Sequence, residues 1–173
     1  NKKLVTETEL PPQVSSLEVS VENHSVFTSY LESIERNVVI LFREKDIIYN
    51  LKNKNTYFHL IYVNDKPAGL IGFRNSYTYY NLDNSKNNDL LIEVFCVHYF
   101  SEFLSMNTIL KVFYNTISRM KLNCKFVLVD GMCDGKILQR ELSMQNDVLY
   151  ETQFAYYLYN YADYSVNPED CFI

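Results

Sequence analysis

The sequence predicts an α/β domain in which a mixed sheet is flanked by helices. Three observations predict it. Segments of strand and helix periodicity follow one another in the order β, α, α, β, β, β, α, β, α, β, β. The run "LLIEVFCVHYF" (90–100) is almost continuously apolar, as a strand covered on both faces must be. The segments "YFHLIYV" and "AGLIGFRNSYTYY" flank the turn residues "NDKP", which reads as a hairpin.

Taken in order, residues 1–16 are polar, carry Pro11-Pro12 and read as a flexible N-terminal arm leading into one domain over 17–173. The alternation in "SSLEVSV" predicts a strand over 17–21. Asn23 is placed to cap a helix whose Val26, Phe27, Tyr30, Leu31 and Ile34 share a face. A second helix is expected over 44–51, where Ile47, Ile48 and Leu51 line up. The hairpin strands follow at 57–63 and 68–80, then the central strand at 90–100. Ser105 or Asn107 can cap the helix "TILKVFYNTISRMKL", in which Ile109, Leu110, Phe113, Ile117 and Met120 recur at helical spacing. "KFVLVDG" predicts a buried strand, "GKILQRELSM" a short amphipathic helix, and "DVLYE" with "FAYYLYNY" a closing pair of strands.

Composition narrows the function classes. A chain of 173 residues with 47% apolar and 21% charged residues is globular in character. The net charge of −5, with no run of Lys or Arg, argues against a nucleic-acid partner. No stretch is long and apolar enough for a membrane span, and the start lacks the apolar core of a secretory signal, so a cytoplasmic location is expected. Cys96, Cys124, Cys133 and Cys171 form no CxxC pair and read as reduced, buried thiols, with two disulfides as the alternative. His24 and His59 have no acidic or thiol partner at ligand spacing, so no metal site is expected. The 15 tyrosines suit strands with one apolar and one wet side.

The element order resembles the fold of the GNAT acyltransferases (acyl-CoA N-acyltransferases), in which acyl-CoA sits where two central strands splay. The likeness covers nearly the whole chain after the arm. "YYLYNY" (156–161), twelve residues before an apolar C-terminus, resembles the closing strand of the N-myristoyltransferases. Those enzymes fuse two GNAT-like lobes, and the order and spacing here are most similar to the C-terminal one, which forms much of the peptide groove. "FCVH" (95–98) is similar to a strand of the N-terminal lobe, so both lobes are echoed. The resemblance implies a peptide partner with an N-terminal glycine. It also implies myristoyl-CoA as cofactor, provided that a companion lobe or a second copy of the chain carries it.

An acyl-CoA enzyme holds a diphosphate on a basic, glycine-bearing loop at a helix N-terminus. Residues 99–107, "YFSEFLSMN", contain no Arg, Lys or Gly, and Glu102 there would repel phosphate. No cofactor is therefore expected at this place. The expected function is that of a GNAT-fold relative of N-myristoyltransferase that no longer binds acyl-CoA. Such a protein would take a protein or peptide partner in a tyrosine-rich groove contributed by Tyr77, Tyr79, Tyr99, Tyr157 and Tyr159. The alternative is an active N-myristoyltransferase, or its peptide-binding lobe, acylating an N-terminal glycine.

In that alternative the resemblance makes the α-carboxylate of Ile173 the general base. An α-carboxyl ionises near ~3.5 in water and becomes more basic when desolvated. A simply packed "CFI" tail is the other reading. Glu151 falls where the family has an acid that receives a basic peptide side chain, though a solvated hairpin acid would look the same. Glu93, a charge inside a central strand, is either a general base or an Arg- or Lys-paired acid. His98 reads as a buried histidine with a structural partner ahead of a base.

Overall fold

The computed structural model describes residues 8–34, 44–52, 56–75, 91–119, 126–129 and 134–144. Its five-stranded sheet has the order β1-β2-β3-β4-β5. The strands are β1 (Val14–Glu18), β2 (Thr56–Val63), β3 (Lys66–Asn75), β4 (Leu91–Tyr99) and β5 (Phe126–Val129). Neighbours are antiparallel from β1 to β4, and β4 pairs with β5 in parallel. Helix α1 (His24–Glu32) and α2 (Glu44–Lys52) join β1 to β2, α3 (Met106–Arg119) forms the crossover from β4 to β5, and α4 (Gly135–Ser143) follows β5. The mixed sheet flanked by helices is the expected architecture. The two closing strands expected from the sequence lie outside the described residues.

Both faces of the sheet are covered, as the apolar run of β4 requires. On one face Ile71, Phe73, Ile92 and Val94 pack against Ile109 and Phe113 of α3 and Leu138 of α4. On the other, Phe58, Leu60, Leu70 and Phe95 meet Phe27 and Tyr30 of α1 and Ile47 of α2. The Phe27 and Phe58 rings meet at 4.5 Å between centroids, tilted by 35°, joining α1 to the sheet. The β2–β3 turn places Asn64 and Asp65 at φ 48° and 62°, the left-handed pair a two-residue hairpin needs, and both residue types tolerate it.

The first strand begins three residues earlier than the expected 17–21, within the segment read as an arm. Val14 pairs with Val63 and Leu17 with Leu60. The strand ends at Glu18 because Asn23 gathers the chain into a turn. Its side-chain oxygen accepts from Ser20 N–H (2.7 Å) and its amide donates to Glu18 carbonyl (3.1 Å). Asn23 therefore precedes α1 as expected, but its side chain holds the incoming turn and not the first helical N–H groups. Upstream, buried Asn115 of α3 accepts from Thr8 N–H and donates to Thr8 carbonyl, both at 2.8 Å. Segment 8–10 is thereby tied to α3, and Leu10 packs on the same cluster. Among the described residues, no helix is long and apolar enough to cross a membrane.

A β-bulge interrupts the β3–β4 ladder: Gly72 opposes Cys96 and Phe73 opposes Val94, leaving Phe95 as the extra residue. Phe95 and Cys96 both belong to the α1–α2 side. Beyond them the alternation is reversed, so Val97 and Tyr99 face α3 while His98 faces α1. Gly72 permits this. A Cβ there would lie 3.0 Å from Phe95 Cζ and 3.1 Å from Cys96 Cβ, whereas one at Gly69 would meet mainly the movable end of Leu104 at 2.9 Å. Gly72→Ala should therefore cost about 1–3 kcal/mol and Gly69→Ala less, read as lower urea midpoints at unchanged m-value.

Candidate functional site

The site is built around the far half of β4. Among the described residues, pairing with β5 runs from Leu91↔Phe126 to Val94↔Val129, and β4 continues to Tyr99. Phe100 N–H donates to Ala68 carbonyl on β3, so the peptide groups of Val97 and Tyr99, of opposite parity, point away from β3. They point toward the start of α4. Asp134 N–H donates to Val97 carbonyl at 3.3 Å, and Tyr99 N–H donates to Asp134 Oδ2 at 3.1 Å. Asp134 precedes α4 but its carboxylate makes no capping hydrogen bond to that helix.

The loop from β4 to α3 is a tight turn. Phe103 and Leu104 N–H both donate to Phe100 carbonyl, and Leu104 is buried against Gly69. Ser105 Oγ accepts from Thr108 N–H at 3.3 Å and bonds Thr108 Oγ1 at 3.1 Å, so a hydroxyl occupies the first turn of α3 as an N-cap. Of the two caps expected there, Ser105 is used. Glu102 is exposed beside it, and Phe103 is 62% exposed.

Of the expected site residues, Glu93 and Tyr99 are described; Ile173, Glu151, Tyr77, Tyr79, Tyr157 and Tyr159 lie outside the described residues. Glu93 is the Arg-paired acid. Arg74, its cross-strand neighbour, donates from Nε to Oε2 at 2.7 Å and from Nη2 to Oε1 at 2.6 Å. The guanidinium also lies 5.2 Å from the centroid of the Phe95 ring. Tyr99 packs toward α3, on the opposite face from Glu93, so the two do not converge. His98 is 2% exposed and shares a 2.7 Å hydrogen bond with the equally buried Tyr30 hydroxyl, with Phe100 edge-on at 5.0 Å. It is the partnered histidine of the sequence reading. Cys96 is buried.

Asp134 was not singled out by sequence reasoning. An Asp before Gly-Lys-Ile-Leu reads as a helix cap, and no local pattern announces a partner 35 residues away.

No protein-family model matches the chain, and no curated protein matches it. Solved structures do. The ribosomal-protein-alanine N-acetyltransferase of Brucella melitensis biovar Abortus 2308 superposes with a TM-score of 0.58 at 8% identity, over 87% of this chain and 99% of that one. An aminoglycoside acetyltransferase from an uncultured soil metagenomic sample gives 0.52 at 13% identity, over 88% and 99%. The chain has the GNAT acyltransferase fold. A third GNAT neighbour, aminoglycoside N-acetyltransferase AAC(6')-Iy, gives 0.54 at 10% identity, over 88% and 100%. At such identities the likeness is one of fold, and function has to be argued from the site.

Two measurable consequences follow from the charges. The Glu93 side chain is 11% exposed and Arg74 51%. Arg74→Met leaves the carboxylate with no counter-charge and should cost about 1–3 kcal/mol, moderated by solvent at the Arg end. Adding Glu93→Leu should recover most of it in a double-mutant cycle. His59, on β2 beside Phe73, has its pKa lowered from 6.5 to about 4, first by burial and then by the Arg119 charge. The unfolded chain binds that proton at higher pH than the folded one. Stability should therefore be full above about pH 6.5 and fall as the pH drops toward 4, by up to about 3 kcal/mol. His59→Leu should flatten the Tm profile between pH 7 and 5.

Proposed function

We propose that this chain is a GNAT-fold protein that does not hold acyl-CoA at the usual place and instead binds a protein or peptide partner. The observation that carries the reading is the N-terminus of α3. A diphosphate there needs cations and open backbone N–H groups. Here the turn offers no Arg, Lys or Gly, Glu102 adds a negative charge, and the Ser105 hydroxyl already takes Thr108 N–H. Coenzyme A, which the fold brings to mind because AAC(6')-Iy was crystallised with it, does not fit these residues. A GNAT sheet without that cradle keeps a rigid scaffold and an aromatic surface, of which Phe103 is one exposed member. The further tyrosines of the proposed groove, Tyr77, Tyr79, Tyr157 and Tyr159, lie outside the described residues.

A second reading is favoured by the activity of the neighbours, which are acetyltransferases. In it the chain is an N-acyltransferase. Relation to N-myristoyltransferase, through "YYLYN", would make it the peptide-binding half of an enzyme whose myristoyl-CoA sits on a companion lobe.

Thermal shift with CoA, acetyl-CoA, myristoyl-CoA and Gly-starting peptides separates these readings. A ligand at 100 times its Kd adds about 2.7 kcal/mol, roughly 5–10 °C in Tm for a chain of this size. The expected result is no response to any CoA species. A response to acetyl-CoA would overturn the proposal in favour of the N-acyltransferase.

A further inference from the structure

In a parallel sheet, a residue opposite position i donates its N–H to the carbonyl of i−1 and accepts from the N–H of i+1 through its own carbonyl. Asp134 does both opposite His98. Its backbone N–H reaches Val97 carbonyl, and its side-chain Oδ2 accepts from Tyr99 N–H in place of a backbone oxygen. It thus imitates one residue of a parallel strand, beyond the last described β4–β5 pair, Val94↔Val129. The imitation is built in. Asp134 is 7% exposed, and it forgoes the helix-capping hydrogen bond its position would allow.

We propose that Asp134 is an internal plug that occupies the strand-pairing positions of Val97 and Tyr99 on β4 and denies them to an extended, amide-bearing chain. The ligand class is set by the two groups it covers. A carbonyl and an N–H two residues apart on a strand edge recognise an extended chain with amides at peptide-like spacing, such as the pantetheine arm of a coenzyme A thioester. The inference rests on the reading above but concerns a different physical block. The α3 turn lacks attraction for a diphosphate, whereas Asp134 denies hydrogen bonds to the arm.

Pantetheine, which has the arm and no diphosphate, tests the plug alone by isothermal titration calorimetry. The wild type should give no saturable heat. Asp134→Ala should bind at least about tenfold tighter, since one charge-assisted hydrogen bond no longer has to be displaced. Asp134→Asn, whose side-chain carbonyl can still accept from Tyr99, should stay closed. Binding by the wild type overturns the plug even if CoA is not bound, and a folded Asp134→Ala that ignores pantetheine overturns it as well. Should Asp134→Ala fail to fold, hydrogen exchange in the wild type decides: a Tyr99 amide exchanging as fast as an open one overturns the proposal, and a protected one upholds it.

Discussion

β4 pairs with β5 through four described residue pairs and runs on to Tyr99 between two apolar layers. A strand in that position cannot leave its N–H and C=O groups unpaired, because each would lose its hydrogen bonds to water without replacement. Something must lie along it: another strand, a ligand or a side chain. Here a residue at the head of α4 reaches back and supplies both a donor and an acceptor. The Phe95 bulge belongs to the same arrangement. It turns the peptide groups of Val97 and Tyr99 toward α4 and brings His98 under Tyr30, so one inserted residue serves both sides of the sheet.

Electrostatics and hydrogen bonding meet in this region. The turn before α3 has an acid where an anion site would need cations, and the Thr108 N–H of its first helical turn is taken by the Ser105 hydroxyl. The ionic pair near the bulge is internal, since Arg74 and Glu93 satisfy each other and cover the Phe95 ring. The fold is that of the GNAT structures, while the side chains described along the far half of β4 answer to one another.

Much of this was legible in the primary structure, for identifiable reasons. The apolar run of β4, the Asn64-Asp65 turn and the helical stripe of α3 are local patterns, and they placed the elements within a few residues. Glu93 was recognisable as a charge that needed a partner, but Arg74 could be named only once β3 and β4 were in register. The start of β1 was misjudged because the alternation of Leu17 with Val19 and Val21 is as regular as that of the true strand. What ends β1 is the Asn23 turn, a side-chain effect that periodicity does not carry. Asp134 was missed for a similar reason. Its sequence neighbours describe a helix start, while its partners belong to a strand on the far side of α3.

The tie between Thr8 and Asn115 spans 107 residues. It has a consequence for how the chain is made. On a ribosome residues 8–10 emerge long before α3 exists to receive them, and contacts of such sequence separation form late. Until then Asn115 and its apolar surroundings have no cover. The leading segment thus acts as the last stitch of the domain, closing over α3 after the sheet has assembled.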